Sequence, residues 1–361
     1  MLAIIVFSLL LAGEANACSP SDLAALASFK SSLYEPRLGI FDTWIGPNCS
    51  TWHGVSCDPE TGRVVLLELR GESEDEILTR PGKYTRGIMY GSINPSVCGL
   101  SHLTGLIVAD WKGISKSIPE CISSLTNLRV LDLSGNNLTG SVPVGIGNLN
   151  RLSVLSLAYN RISGPLPKSF SGLVGLKHLD LSNNEISGSL EGFVGFTMLS
   201  RALLGNNRFC GSIPGSMRNM ARLSDLDLSM NYISGFLPAW LAELPYLSTL
   251  NLDSNRLTGR VPPNFMSCSG LGILNLSRNG LEGNIPDTFG PDTYFMVLDL
   301  SHNKLTGSIP SSLTKTKFIG HMDVSHNHLC GPIPAGSFCD HLEASSFKDN
   351  DCLCGAPLGA C

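Results

Sequence analysis

Asn136, Asn160, Asn184, Asn207, Asn231, Asn255, Asn279, Asn303 and Asn327 recur every 24 residues, and only the step from Asn184 to Asn207 is one residue shorter. A strict period of this size excludes a conventional globular core. Each unit is one coil whose apolar face is buried by the coils on either side, so the chain stacks as a solenoid.

Within a unit the spacing is L-x-x-L-x-x-L-x-L-x-x-N-x-L-x-G-x-I-P, carried for example by Leu125, Leu128, Leu131, Leu133, Asn136, Leu138, Gly140 and Pro143. This pattern resembles the leucine-rich repeat. Alternation in L-x-L points both leucines into the coil and the residue between them outward, which predicts one short strand per unit and a parallel sheet. The expected architecture is an α/β leucine-rich-repeat solenoid: a curved right-handed superhelix with the parallel sheet on its concave face, short helical or irregular segments on its convex face, and disulfide-stapled caps. The asparagines fall where the chain leaves the strand, and a buried amide can satisfy backbone groups of adjacent coils. Glycines at the G position, from Gly140 to Gly331, suit positive φ or close approach. Prolines three residues later open the convex segment, except after Gly188, where Glu191 stands.

Residues 3 to 12 are almost wholly apolar, and Ala15-Asn16-Ala17 gives a small-x-small cleavage pattern, so residues 1–17 read as a signal peptide that lacks the usual basic n-region. No other run reaches the ~18 apolar residues of a membrane span. The expectation is a secreted protein of the extracellular space or cell wall, which fits its 12 cysteines, because disulfides persist in oxidising compartments. Residues 18–63 form an N-terminal cap, 64–334 about 10 to 11 repeats, and 335–361 a C-terminal cysteine cap. Both ends of a solenoid expose an unpaired coil, and spacing pairs Cys49 with Cys57, Cys330 with Cys352, and Cys354 with Cys361. Cys98 and Cys121 sit nearly one repeat apart and bridge adjacent coils. Cys18, Cys210, Cys268 and Cys339 have no evident partner. Metal binding at Cys352-x-Cys354 lacks a second pair at zinc-site spacing, and no metal or cofactor is expected.

Ser19-Pro20-Ser21-Asp22 resembles a capping box with proline at the first helical position, ahead of Leu23, Leu26, Phe29 and Leu33. Residues 71–90 interrupt the period with acidic and then basic residues, a polar surface loop. Trp111 occupies the asparagine position of the next repeat, which is one residue longer, so a local distortion is expected there.

The G-x-I-P form of the repeat, the W-x-G-V-x-C segment from Trp52 to Cys57 and the terminal C-x-C resemble plant extracellular leucine-rich-repeat proteins, which include receptor ectodomains and polygalacturonase inhibitors. Leu69 to Asp75, Ala109 to Ile114 and Asp340 to Ala344 lie outside the repeat consensus and are similar to the plant DNA-damage-repair/toleration group. In the family two adjacent cysteines precede the tryptophan, whereas here Asn48 precedes Cys49, which removes the partner the resemblance implies for Cys18. Asn48-Cys49-Ser50 is instead a glycosylation sequon, joined by sequons at Asn137 and Asn275.

Net charge is −5 and no lysine or arginine cluster offers the basic footprint a duplex binder needs, so no nucleic-acid partner is expected. Asp132, Asp180, Asp227, Asp299 and Asp323 share one outward column, which repels phosphate and reads as consensus surface rather than as a general acid and base; no catalytic residue is assigned. Two outward columns instead vary from coil to coil. One contains Tyr159, Arg278, His302 and His326, the other His178, Arg201, Asp225 and His321. Varied side chains on a rigid curved support suit a protein or peptide ligand. The concave-face binding set is therefore Tyr159, His178, Asp180, Arg201, Asp225, Asp227, Arg278, Asp299, His302, His321, Asp323 and His326. His302 and His326 occupy equivalent places in neighbouring coils, so their imidazoles should stand about 5 Å apart and gain charge in a mildly acidic wall. Candidate partners are an extracellular protein or peptide, including a microbial glycosidase or a receptor kinase ectodomain. Inhibition of a wall-degrading glycosidase and binding of polysaccharide or ice are the alternatives.

Overall fold

The computed structural model describes residues 18–71, 87–336, 338 and 341–361. The segment 1–17 read as a signal peptide, most of the 71–90 insertion and Cys339 lie outside them. Twelve strands form one continuous sheet, from Val55–Cys57 and Val64–Arg70 through three-residue strands such as His178–Asp180 and Asp225–Asp227 to Tyr294–Asp299 and Phe318–Asp323. Only the first pair is antiparallel. Every later pair is parallel and in strict register, so that His178 lies beside Arg201 and Arg201 beside Asp225. This is the concave sheet the L-x-L alternation predicts: Leu179, Leu181, Leu226 and Leu228 are buried while the residues between them face out.

The single strand per unit was an underestimate. Beyond each asparagine the chain stays extended for a few more residues, and these segments pair in parallel as a nine-stranded sheet from Ser163–Pro165 to Cys352–Cys354; a separate four-stranded sheet at the N-terminal end is parallel except at its edge, where the cap strand Leu33–Tyr34 pairs antiparallel with Met89–Ser92. The glycines then turn the chain at positive φ, as Gly164 does at +78° and Gly235 at +84°. Short 3-10 turns such as Lys168–Gly172, Gly215–Asn219 and Ser311–Lys315 occupy the convex side, each entered from a proline at 167, 214 or 310. The shorter coil before Asn207 lacks that proline and is filled by Phe170, Phe193 and Phe196, whose ring centroids lie 5.6 to 5.8 Å apart.

The asparagines hold the stack together. Asn231 Nδ2 donates to Leu204 O (3.1 Å), Leu228 O (3.1 Å) and Ser229 O (2.9 Å), while its Oδ1 accepts from Phe209 N–H (2.9 Å) in the preceding coil. The same set recurs along the column and continues into the C-terminal cap at Asn350, whose Oδ1 accepts from Leu329 N–H. Trp111 replaces one rung: its buried indole N–H donates to Leu69 O at 2.9 Å. An indole has no acceptor and the coil is longer, so Asp110 and Lys112 adopt positive φ. On the next rung, Asn136 Oδ1 is buried without a partner among the described residues. The expected distortion is therefore present. The side ladder resumes at Met89, beside Lys112, inside the expected bounds of the insertion.

Cys98–Cys121, Cys330–Cys352 and Cys354–Cys361 are bonded as expected. The Cys49–Cys57 assignment is corrected, because Cys49 bonds Cys18 and Cys57 is free. The reason lies in how the cap helix Pro20–Ser31 docks. Buried Asp22 receives Arg63 Nε (3.0 Å), Arg63 Nη2 (2.9 Å) and Val64 N–H (2.9 Å), which brings the helix start, and Cys18 with it, onto Cys49. Asp22 is thereby taken from the capping box: Ser19 is the N-cap with proline following, but no side chain caps the helix. Cys210 is exposed and Cys268 half-buried, both free.

Candidate functional site

The concave sheet offers three outward rows. The middle row is partly structural. Oδ1 of Asp180 accepts from Ser182 N–H (3.0 Å) and Oγ–H (2.7 Å), Asp132 and Asp299 do the same with Ser134 and Ser301, and Asp227 and Asp323 accept from the backbone N–H two places on. Asp132 Oδ2 also receives Arg70 Nη2 at 3.1 Å, and each carboxylate caps the strand end through Oδ1. Asn275 does the same with Ser277, so its sequon lies half-buried on this face. Asn137 is half-buried at the start of a side strand, and Asn48 Oδ1 holds Ser50.

The row before the leucines is in register from Val154 through His178, Arg201 and Asp225. Arg201 Nε meets Asp225 Oδ2 at 3.0 Å, so these two expected contacts act as a pair; His178 and His321 are exposed.

The row after the leucines has a property that spacing did not disclose. Tyr159, Asn183, Asn206, Met230, Ser254, Arg278, His302 and His326 all lie between φ +52° and +56°. Left-handed backbone costs a non-glycine residue roughly 1 to 2 kcal/mol. Repeated ladder bonds offset it, since Tyr159 N–H donates to Ser182 O and Met230 N–H to Asp253 O, each at 2.9 Å. Glycine would serve the backbone better, and only Gly135 has it. The other coils keep a side chain there, and Tyr159 and Met230 are 65% and 54% exposed, so these side chains are not packing the core.

Two open grooves run beside this row where the chain enters the side sheet. One, of about 420 Å³, is lined by Glu185, Asn206, Arg208, Met230, Tyr232 and Ser254; the other, of about 360 Å³, by Lys112, Gly135, Tyr159 and Arg161 among others. The Arg256 guanidinium sits 4.6 Å over the Tyr232 ring, and Arg208 pairs with Glu185 at 2.8 Å. The lip of the larger groove therefore carries residues after the asparagine, Arg208 and Tyr232, with Arg256 over the latter, which the columns chosen from sequence omit. The signal was available: that position is as varied as the two rows selected.

At the C-terminal end His302 and His326 stack with centroids 4.0 Å apart and planes 13° from parallel, closer than expected from strand spacing alone. His326 Nε2 is 3.3 Å from Asp349. Burial, then the charges of Arg278 and His326, push His302 below the usual imidazole range, against the opposing pull of Asp323 and Asp299. Asp253, which sequence reasoning passed over, stands where neighbouring coils carry serine. Burial, with Asp227 and Asp299 nearby, raises its carboxyl above the usual range. Tyr294, Met296 and Phe318 are also exposed, and the Tyr294 and Phe318 rings stack at 5.2 Å.

This geometry defines a leucine-rich-repeat recognition surface. The leucine rich repeat profile matches residues 101–162, 150–209 and 203–257, a second leucine rich repeat profile 270–291 and 295–316, and the leucine rich repeat N-terminal domain residues 19–58. The chain belongs to the leucine-rich-repeat family. It is 54% identical over 140 residues to DNA damage-repair/toleration protein DRT100 of Arabidopsis thaliana, a match covering 38% of this chain and 37% of that one. It is 32% identical to polygalacturonase inhibitor 1 of Oryza sativa subsp. japonica over 38% of each chain. The matches thus span little over a third of these relatives. Among solved structures, the ectodomain of the Arabidopsis receptor kinase HAESA in complex with an IDA peptide hormone aligns with TM-score 0.75 and 28% identity, over 92% of this chain and 53% of that one. A plant ice-binding protein aligns with TM-score 0.68 and 28% identity, over 96% and 99%. Among the described residues no helix is long and apolar enough to cross a membrane.

Proposed function

We propose that this is a secreted, non-catalytic recognition module of the plant cell wall that binds a protein or peptide partner on its concave face, in defence, stress or wall signalling. The observation that carries the reading is the row from Tyr159 to His326: eight side chains kept in left-handed backbone, differing from coil to coil, on a sheet locked by buried asparagines. Preorganised backbone reduces the entropy cost of binding, and tyrosine, methionine and arginine are effective anchors. A peptide laid along the sheet would meet Tyr159, His178 and Arg201 at one end and Arg278, His302, His321 and His326 at the other. The peptide-bound HAESA structure and the polygalacturonase inhibitor relative support a binding role and differ in what is bound, so a hormone-like peptide and a wall-degrading glycosidase are the two partner classes to test.

The ice-binding neighbour raises a different reading, for which the side sheet is the natural flat surface. Its outward row contains Glu185, Arg208, Tyr232, Arg256, Lys304 and His328, which is charged and bulky rather than flat and uniform. That row argues against an ice plane. A direct role on DNA is opposed by the net charge of −5 and the carboxylate column.

The test is affinity capture from wall extract at about pH 5.5 and about pH 7.5, using the mature protein beside a variant with Tyr159, Arg201, Arg278 and His302 changed to alanine. A protein or peptide bound by the wild type and lost from the variant supports the reading. Equal capture by both, or capture of polysaccharide alone, overturns it. Polygalacturonase inhibition and thermal hysteresis assays separate the alternatives.

A further inference from the structure

The N-terminal cap gathers three sulfurs. Cys18 and Cys49 are bonded, and Cys57 Sγ lies 2.9 Å from Cys49 Sγ and 3.8 Å from Cys18 Sγ. All three ligand atoms lie within 4.8 Å of one another. With an odd number, one sulfur is always a thiol; in this arrangement it is Cys57.

Each of the three cysteines is placed by the fold, and Cys18 and Cys49 by their bond as well. Cys18 N–H donates to Pro47 O at 3.1 Å, and the adjoining helix is tied down by Asp22, Arg63 and Val64. Cys49 begins the turn Cys49–Thr51, and Cys57 ends a strand paired with Val64. The cluster therefore stays assembled whichever two sulfurs are joined.

We propose that this cluster is a thiol–disulfide exchange site, with two interchangeable pairings, Cys18–Cys49 and Cys49–Cys57. In the exchange the Cys57 thiolate attacks Cys49 Sγ. The Cys49–Cys57 bond forms, the Cys18–Cys49 bond breaks with its electron pair going to Cys18, and Cys18 takes up the proton that Cys57 gave up. No oxidant or reductant is consumed. The two pairings differ in loop size, with separations of 31 and 8 residues. Closure probability falls as the three-halves power of loop length, so the unfolded chain favours Cys49–Cys57 about 8-fold. Docking of the helix then delivers Cys18 and shifts the bond, which fastens the helix start covalently. The cap thus corrects its own pairing, and the spare thiol remains in a half-buried place: partial burial, and next the Asp22 carboxylate, raise Cys57 above the usual thiol range.

The test is non-reducing peptide mapping of the wild-type protein after acid quenching and alkylation. Protein carrying Cys49–Cys57, prepared by unfolding in urea with a catalytic thiol, is returned to native buffer free of any external thiol. Conversion to Cys18–Cys49 is expected, with alkylation moving from Cys18 to Cys57 and the rate rising about tenfold per pH unit below the thiol pKa. Chain alkylated before return should not convert, and Cys57→Ser should show Cys18–Cys49 alone throughout. A wild-type chain that keeps Cys49–Cys57 in native buffer with its Cys18 thiol free overturns the proposal, as does conversion of the pre-alkylated chain.

Discussion

Replacing Asn231 by alanine should cost about 1 kcal/mol more than the same change at Asn136, although both are buried rungs of one ladder. Asn231 makes four bonds, and three of the groups it leaves keep another partner: Leu204 O has Asn207 Nδ2, Leu228 O has Asn255 Nδ2, and Ser229 O has Asn206 N–H. Phe209 N–H donates to Asn231 Oδ1 at 2.9 Å and loses that acceptor. An orphaned buried donor costs about 1 to 3 kcal/mol, and weakening three acceptors adds roughly 1 more, giving ~2 to 4 kcal/mol in all. At Asn136 the Oδ1 is already without a partner, so no donor is orphaned; Leu133 O and Ser134 O keep Asn160 Nδ2 and Asp110 N–H, while Val108 O, to which Trp111 does not donate, loses its 2.7 Å bond, for ~1 to 2 kcal/mol in all. Urea denaturation of both variants measures the difference, and hydrogen exchange at Phe209 should accelerate in Asn231→Ala alone. Equal destabilisation within about 0.5 kcal/mol would refute the claim that the ladder works through the Oδ1 acceptor.

Met230→Gly should leave stability unchanged or raise it by up to about 1 kcal/mol, because glycine adopts the positive φ without strain, while weakening partner binding; a loss of stability would show that the side chain is structural. Phe196→Ala removes one member of the three-ring cluster in the short coil and should cost about 3 to 5 kcal/mol by thermal or urea denaturation. The folded state depresses the His302 pKa, so between the folded value and the unfolded value of about 6.5 the unfolded chain binds the proton more readily. Stability from this residue is therefore present above that range and lost as pH falls through it. His302→Gln should flatten that decline in urea midpoint, and an unchanged decline would assign it to other groups.

The repeat was legible because its period, leucine alternation and asparagine column each demand the same coil. Gly164 and Gly235 declared their turns, and the mismatch at Trp111 announced a distortion that the structure places at Asp110, Lys112 and the unpaired Asn136 oxygen. The side sheet was not legible, because its strands are short, rich in glycine and serine, and follow no alternation of apolar and polar residues. The Cys18 partner was hidden for another reason: spacing ranks Cys49–Cys57 first, while the Asp22 and Arg63 pair that docks the helix joins residues 41 apart in sequence. In the candidate site, the outward columns could be read from register alone. The left-handed backbone beneath Tyr159 to His326 could not, since it is imposed by hydrogen bonds to the next coil and not by residue type.

The central claim is that the partner lies on the concave face, along the left-handed row. A photo-crosslinking amino acid at position 230 or 278 should join the captured partner, whereas one at Val144, 69% exposed on the convex side, should not. Crosslinks from position 144 alone, or equally from all three positions, would contradict the account.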